Sequence, residues 1–121
     1  MRNILVTGAG KGIGLTTTIS LIKKGYYVFA LIKNKKDNKK FKNLANIKIF
    51  NGNTNNYRLI EKIVQYANRN KKPITGLVNN AGIRQRKNFL KINKKDLENI
   101  FNNNFFSIFK NMQKKLVLKI Y

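Results

Sequence analysis

Short apolar runs alternate along the chain with segments of helical periodicity. Four runs of four to six residues, bounded by turn-forming residues, predict β-strands: Asn3–Val6, Tyr27–Ile32, Ile47–Phe50 and Gly76–Asn79. Between them, Ile13–Lys24 and Asn56–Ala67 place apolar residues three and four positions apart, which predicts helices. Strands and helices in alternation are typical of a parallel sheet with right-handed crossovers. The pattern therefore predicts an α/β fold, a doubly wound parallel sheet with helices on both faces.

A last amphipathic helix follows the fourth strand. From Asp96 to Leu116, apolar residues recur at steps of three and four. Asn93 stands three residues before Asp96, an approximate capping arrangement with a shorter acid than usual. Gly25 directly follows the first helix, where a C-terminal glycine is expected. Because no interdomain linker or repeat interrupts this order, we expect one domain over residues 1–121.

The charge of the chain is strongly positive. Lys and Arg total 26 against 4 Asp plus Glu, which gives a net charge of +22. Such a charge can attract nucleic acid or an anionic surface. Lys outnumbers Arg 21 to 5, however, and the lysines are spread along the chain without a face of interleaved aromatic residues. We therefore attribute part of the basicity to an AT-rich gene and do not expect a nucleic-acid partner, while a basic protein that binds such surfaces stays open as an alternative.

Two residue types with distinctive side-chain chemistry, Cys and His, are missing from the chain. Their absence excludes disulfides, thiol nucleophiles, histidine bases and Cys or His zinc sites, so no metal site is expected. The longest apolar run, Val28–Ile32, is far shorter than the roughly 20 residues of a membrane-spanning helix. We therefore expect no membrane span and a cytoplasmic location.

A glycine-rich loop, residues 7–14, joins the first strand to the first helix. Glycines let backbone N–H groups approach a pyrophosphate, and the helix N-terminus adds unpaired donors. Open parallel sheets bind nucleotides at this end of their strands. The loop is not a P-loop, because no Gly-Lys-Ser or Gly-Lys-Thr occurs, and the spacing Gly-x-Gly-x-x-Gly fails because Ile13 stands at the third glycine position. The alternative is a turn that only caps the strand.

The spacing that fits is Thr-Gly-x-x-x-Gly-Ile-Gly, and a second motif, Asn-Asn-Ala-Gly at residues 79–82, follows the fourth strand. With these two motifs the sequence resembles the short-chain dehydrogenase/reductase family over essentially the whole chain. The resemblance implies a Rossmann-like, NAD(P)-binding domain, here a partial one truncated after the fourth strand and its following helix. The cofactor-binding residues that it implies are Thr7, Gly8, Gly10, Lys11, Gly12, Ile13, Gly14, Lys33, Asn80, Ala81 and Gly82.

The choice between the two nicotinamide cofactors depends on the end of the second strand. An acid there accepts the ribose 2′-hydroxyl of NAD, whereas a basic residue accommodates the 2′-phosphate of NADP. Ile32 stands where the family's acid would be, Lys33 comes next, and Lys11 stands where the family's NADP-dependent members are often basic. We therefore expect NADP rather than NAD, although a chain with 21 lysines can place two there by chance.

The family's catalytic Ser and its Tyr-x-x-x-Lys are not found in the chain. None of the five tyrosines has Lys four positions later, and Ser20 and Ser107 stand in the wrong elements. Asn104 resembles the family's proton-relay Asn and is the only catalytic residue expected here. Whether the chain is itself an enzyme stays open.

We therefore expect the cofactor-binding half of an NADP-dependent oxidoreductase that acts on a small carbonyl or alcohol. The alternative from the same fold is a non-catalytic nucleotide-binding remnant. The expected partners are a second copy of the chain or a complementing C-terminal half.

Overall fold

Four parallel strands form a single sheet in the computed structural model, which describes residues 2–83 and 86–120, with side chains up to residue 113. The strands are β1 (Asn3–Thr7), β2 (Tyr27–Ile32), β3 (Ile47–Asn51) and β4 (Gly76–Val78). Their order across the sheet is β3-β2-β1-β4, with every neighbouring pair parallel. The predicted α/β, Rossmann-like sheet is confirmed. β2 has the predicted ends, and the other strands differ from prediction by one residue.

The helices also follow the predicted order. They are α1 (Gly12–Lys23), α2 (Tyr57–Arg69), α3 (Lys94–Phe101) and α4 (Ser107–Ile120). α1 begins and ends one residue earlier than predicted, and Gly25 follows it with a left-handed φ of +90°. α3 begins with the expected capping box, in which the Asn93 and Asp96 side chains each accept a backbone N–H of the other residue.

The core lies on both faces of the sheet. Along β2, Phe29 and Leu31 face the cluster that contains α2, while Val28, Ala30 and Ile32 face the cluster that contains α1. All five side chains are at most 1% exposed. A strand covered by helices on both faces has no polar side, which explains its continuous apolar sequence.

The predicted long helix over residues 96–116 is wrong in one respect, because a π-helical turn at Asn102–Phe106 (the π segment) separates α3 from α4. A π turn spaces its backbone hydrogen bonds one residue further apart than an α-helix does. Large apolar side chains of α3, the π segment and α4 lie at the surface, between 48% and 61% exposed: Leu97, Phe101, Phe105, Phe106, Phe109 and Met112.

The lysine-rich stretch after β2 is more ordered than its charge indicates. Sequence reasoning takes residues 33–42 as a solvated loop and the start of a helix. The structure has a 3₁₀ helix there, Lys35–Phe41 (the 3₁₀ segment), with Asp37 and Phe41 both buried. Phe41 packs into the α1 side of the core and anchors the segment to the sheet.

Two negative findings complete the description of these residues. Among residues 2–83 and 86–120, no helix combines the length and the apolar character that crossing a bilayer requires. The same residues contain no group of three acidic, His or Cys side chains that could hold a metal ion.

Candidate functional site

A groove of about 1170 Å³ lies at the carboxyl ends of β1, β2 and β4. In a parallel sheet these ends meet at one edge, so the loops that follow the three strands converge there. The groove is lined by Gly8, Gly10, Lys11, Gly12, Ile13, Lys33, Asn34, Asp37, Asn80, Ala81 and Gly82. Nine of the eleven cofactor residues implied by the resemblance thus line one groove.

A smaller hollow of about 340 Å³ continues the groove past β3. The two share Gly8, Lys33, Ala81 and Gly82, and the smaller one adds residues 52–54, Leu31, Ile83 and Asn103. Residues 52–54 line the hollow because they follow β3, whose carboxyl end lies at the same edge of the sheet.

Thr7 ties the loop after β1 to the loop after β4. Its Oγ1 accepts hydrogen bonds from the backbone N–H groups of Asn80 and Ala81, each at 3.1 Å, and donates to the carbonyl of Val78 at 3.4 Å. Because Thr7 is buried, it does not line the groove. Its contribution is to hold two walls of the groove together.

Gly14 acts in a similar indirect way. A Cβ on Gly14 would lie 2.0 Å from the Gly8 carbonyl oxygen and 2.4 Å from the Asn80 Nδ2. That amide nitrogen already donates to the Gly8 carbonyl at 3.1 Å. The first turn of α1 therefore packs so closely against the glycine loop that only glycine fits, although Gly14 does not face the groove.

The first residues of α1 lie on the wall of the groove. The N-cap residue is Lys11, whose side chain makes no capping hydrogen bond, and the first turn contains no acid. A Cβ on Gly12 would meet no atom within 4 Å, so this part of the loop is open. The first N–H groups of a helix lack intrahelical acceptors and carry a partial positive charge, which suits an anionic ligand.

The charged side chains in the groove are Lys11, Lys33 and Asp37. Sequence reasoning missed Asp37, which is the only acid in the lysine-rich stretch after β2. A hydrogen bond from Lys40 holds the pKa of the Asp37 carboxyl below its ordinary value; burial opposes this, and the charges of Lys40, Lys11 and Lys36 add to it. The carboxylate is therefore ionised at neutral pH.

Asn104 lies beside the loop after β4, outside the groove's lining. Its Oδ1 accepts the N–H of Ile83 and its Nδ2 donates to the carbonyl of Ile83, both at 2.8 Å. The neighbouring Asn103 donates instead to the carbonyl of Asn99 within the helix. The π segment thus joins Asn104, and not Asn103, to the residue that directly follows the Asn-Asn-Ala-Gly motif.

A second contact that the sequence did not indicate holds α4 to the same motif. The Asn111 Nδ2 donates to the Asn79 Oδ1 at 3.1 Å. Asn111 is buried. The loop after β4 is therefore held at two points, by Asn104 of the π segment and by Asn111 of α4, which stand seven residues apart.

The family model for short chain dehydrogenases matches residues 2–119 of the chain. The chain belongs to the short-chain dehydrogenase family. The match spans the glycine loop, all four strands and the Asn-Asn-Ala-Gly motif.

Curated relatives and solved structures of this family resemble the chain over part of their length. A 3-amino-tetrahydro-pyrrolizinone reductase of Xenorhabdus hominickii is 39% identical over 84 residues, which are 68% of this chain and 29% of the relative. An NADPH-dependent 3-dehydrocapnine reductase of Ornithobacterium rhinotracheale is 35% identical over 89 residues, which are 69% of this chain and 31% of the relative.

The fold is shared more widely. The crystal structure of a short-chain dehydrogenase/reductase of the glucose/ribitol dehydrogenase type from Brucella melitensis superposes with a TM-score of 0.88 at 23% identity. The match covers 97% of this chain and 49% of that one. This short-chain dehydrogenase chain therefore spans about half the length of a solved family member.

Proposed function

We propose that the chain binds NADP(H) as the cofactor-binding part of an oxidoreductase that acts on a carbonyl or hydroxyl group of a small molecule. The observation that carries the proposal is the placement of Lys11 and Lys33 on the groove, with the buried Ile32 at the end of β2 where an acid would favour NAD. A relative is named as NADPH-dependent, which supports the same choice.

The residues of the groove fit a dinucleotide. The N–H groups at the start of α1 suit the pyrophosphate, and the ammonium groups of Lys11 and Lys33 suit the 2′-phosphate. Gly8, with φ at +62°, brings the backbone close to the groove without a side chain. NADPH, when bound, supplies a hydride.

The proposal assigns substrate reduction to the complete enzyme. The family's Ser and Tyr-x-x-x-Lys are not among residues 1–121. Within the chain, we propose Asn104 as the proton-relay residue and the Asn80–Gly82 loop as the nicotinamide side of the site. Residues that shape the substrate pocket and choose the substrate then belong mainly to the remaining part of the enzyme.

The proposal is tested by titrating the 121-residue chain with NADPH and with NADH. We expect tighter binding of NADPH, and we expect Lys33→Glu to weaken NADPH binding about tenfold or more with little effect on NADH, because it reverses a charge beside the 2′-phosphate. Lys62→Glu, on the exposed surface of α2, changes the net charge equally and serves as the control. Binding of neither dinucleotide, or an equal loss for both in Lys33→Glu, would contradict the proposal.

The expected homo-oligomer or complementing C-terminal half also remains a proposal. The half-exposed apolar side chains of α3, the π segment and α4 are the surface on which it depends, since covering apolar area is favourable by about 25 cal/mol per Å². Light scattering of the chain alone tests self-association, and thermal unfolding with an added C-terminal half tests complementation. A monomer that gains no stability from the added half would contradict both.

A further inference from the structure

A lysine and a buried carboxylate join the 3₁₀ segment to the glycine loop. The Lys40 Nζ lies 3.1 Å from the Asp37 Oδ1 and donates a hydrogen bond to the Gly10 carbonyl oxygen at 2.9 Å. The Asp37 side chain is 7% exposed and that of Lys40 36%. This Asp37–Lys40 pair is therefore fixed at the carboxylate end, while its ammonium bridges two loops of the groove.

Packing also fixes the carboxylate against the glycine loop. A Cβ on Gly10 would lie 3.2 Å from the Asp37 Cβ, 3.3 Å from its Oδ2 and 2.9 Å from the Ile32 Cγ2. The backbone N–H of Asp37 donates to the carbonyl of Asn34 at 2.9 Å. The carboxylate thus has little freedom to turn away from the groove that it lines.

This carboxylate affects the choice of cofactor. Ile32 leaves no acid at the end of β2, but Asp37 returns a negative charge to the same groove five residues later. An unpaired carboxylate there would repel a 2′-phosphate and could accept a hydrogen bond from a 2′-hydroxyl. With Lys40 bound to it, the charge is balanced, and the positive charges of Lys11 and Lys33 remain for the ligand.

We propose that the Asp37–Lys40 pair determines selectivity for the 2′-phosphate: Lys40 neutralises the carboxylate that would otherwise exclude a phosphorylated ribose. Lys40 is a positioning residue here, since it acts through Asp37. The inference rests on the proposed binding of NADP(H). It adds the Asp37–Lys40 pair to the two lysines already proposed for the 2′-phosphate, Lys11 of the glycine loop and Lys33 at the end of β2.

The experiment titrates the 121-residue chain calorimetrically with two probes, adenosine 2′,5′-bisphosphate and 5′-AMP. The two probes differ only in the 2′-phosphate. We expect Lys40→Met to weaken bisphosphate binding about tenfold and to change AMP binding less than twofold, because it exposes a like charge to the 2′-phosphate. The double variant Asp37→Asn/Lys40→Met should restore bisphosphate binding to within about twofold of the wild type. Lys39→Met removes the same charge one residue away and is the matched control.

Asp37→Asn alone gives an independent readout in the opposite direction. It leaves Lys40 unpaired, so the preference for bisphosphate over AMP should increase several-fold. This variant keeps the test valid if Lys40→Met does not fold. Equal losses for both probes in Lys40→Met, no rescue in the double variant, or an unchanged preference in Asp37→Asn would each overturn the inference. Binding of neither probe by the wild type would instead overturn the proposed function.

Discussion

The close packing of α1 on the glycine loop makes Gly14→Ala an informative substitution. Gly14 has an ordinary helical backbone, so intrinsic helix propensity alone favours alanine by roughly 0.5–1 kcal/mol. The structure indicates the opposite sign. The added Cβ would lie 2.0 Å from the Gly8 carbonyl oxygen, a full ångström inside the 3.0 Å limit that real Cβ contacts respect.

The cost can be estimated from what must move. The Gly8 oxygen belongs to the backbone, so relief requires a shift of the whole loop rather than a side-chain rotation. Inserting a carbon into a packed site of this kind costs about 1–3 kcal/mol. The shift also breaks the hydrogen bond from Asn80 to Gly8, which contributes about 0.5–1.5 kcal/mol. After the helix gain is subtracted, we expect a net loss of about 0.5–4 kcal/mol.

Urea unfolding, followed by far-UV circular dichroism, measures this loss. Gly12→Ala is the matched control: it adds the same methyl group two residues earlier, where no atom lies within 4 Å, so its cost is only the roughly 1–2 kcal/mol of a left-handed backbone at φ +52° and includes no steric contact. A Gly14→Ala protein as stable as the wild type, or more stable, would refute the argument and show that helix propensity outweighs the contacts with Gly8 and Asn80.

Three further outcomes are expected. Thr7→Val removes the Oγ1 acceptor of two part-buried backbone N–H groups after β4 and should cost about 1–3 kcal/mol in urea unfolding, because the Ala81 N–H loses its partner while the Asn80 N–H keeps the Val78 carbonyl at 3.1 Å; Thr7→Ser should retain most of the stability. Asn104→Leu removes both hydrogen bonds to the backbone of Ile83, so amide hydrogen exchange at Ile83 should accelerate while the amides of β2 keep their protection. The pKa of the Asp96 carboxyl is lowered from its ordinary value of 3.8, first by the backbone hydrogen bond from Asn93 at the N-cap of α3 and then by Lys87. Its ionised form therefore stabilises the fold at pH values above the ordinary pKa, and this stabilisation is lost as the pH falls through the lower pKa of the folded state. The stability difference between the wild type and Asp96→Asn should therefore be constant near neutral pH and disappear in acid; a difference that grows in acid would contradict this.

Local pattern was sufficient to predict the elements whose environment is uniform. β2 has helices on both faces, so a continuous apolar run marks its two ends correctly. The capping box of α3 is local as well, because Asn93 and Asp96 satisfy each other's backbone. The groove followed from topology, since the loops after parallel strands meet at one edge, and this placed nine of the eleven implied cofactor residues.

Features that depend on distant contacts could not be predicted. A three- and four-residue periodicity cannot reveal the extra residue of the π segment. In that segment, Asn104 forms a hydrogen bond with the backbone of Ile83, which lies 21 residues earlier in the chain. The burial of Asp37 depends on an ammonium group from Lys40 and on the glycine loop 27 positions earlier. We expect a lysine-rich stretch to be solvated. The ion pair with Lys40 allows Asp37 to be buried within this stretch and to line the groove.

The hydrogen bonds that join the glycine loop to the loop after β4 connect residues 72 to 74 positions apart along the chain. β1 is made first during synthesis, yet its second neighbour in the sheet, β4, consists of residues 76–78. Closing so long a loop is costly in entropy, and contacts of this separation slow folding. The groove therefore cannot exist on a nascent chain that has only β1, α1 and β2. A ligand that fills the groove can stabilise only molecules in which β4 has already paired with β1, so its binding will report a long-range step of folding rather than a local one.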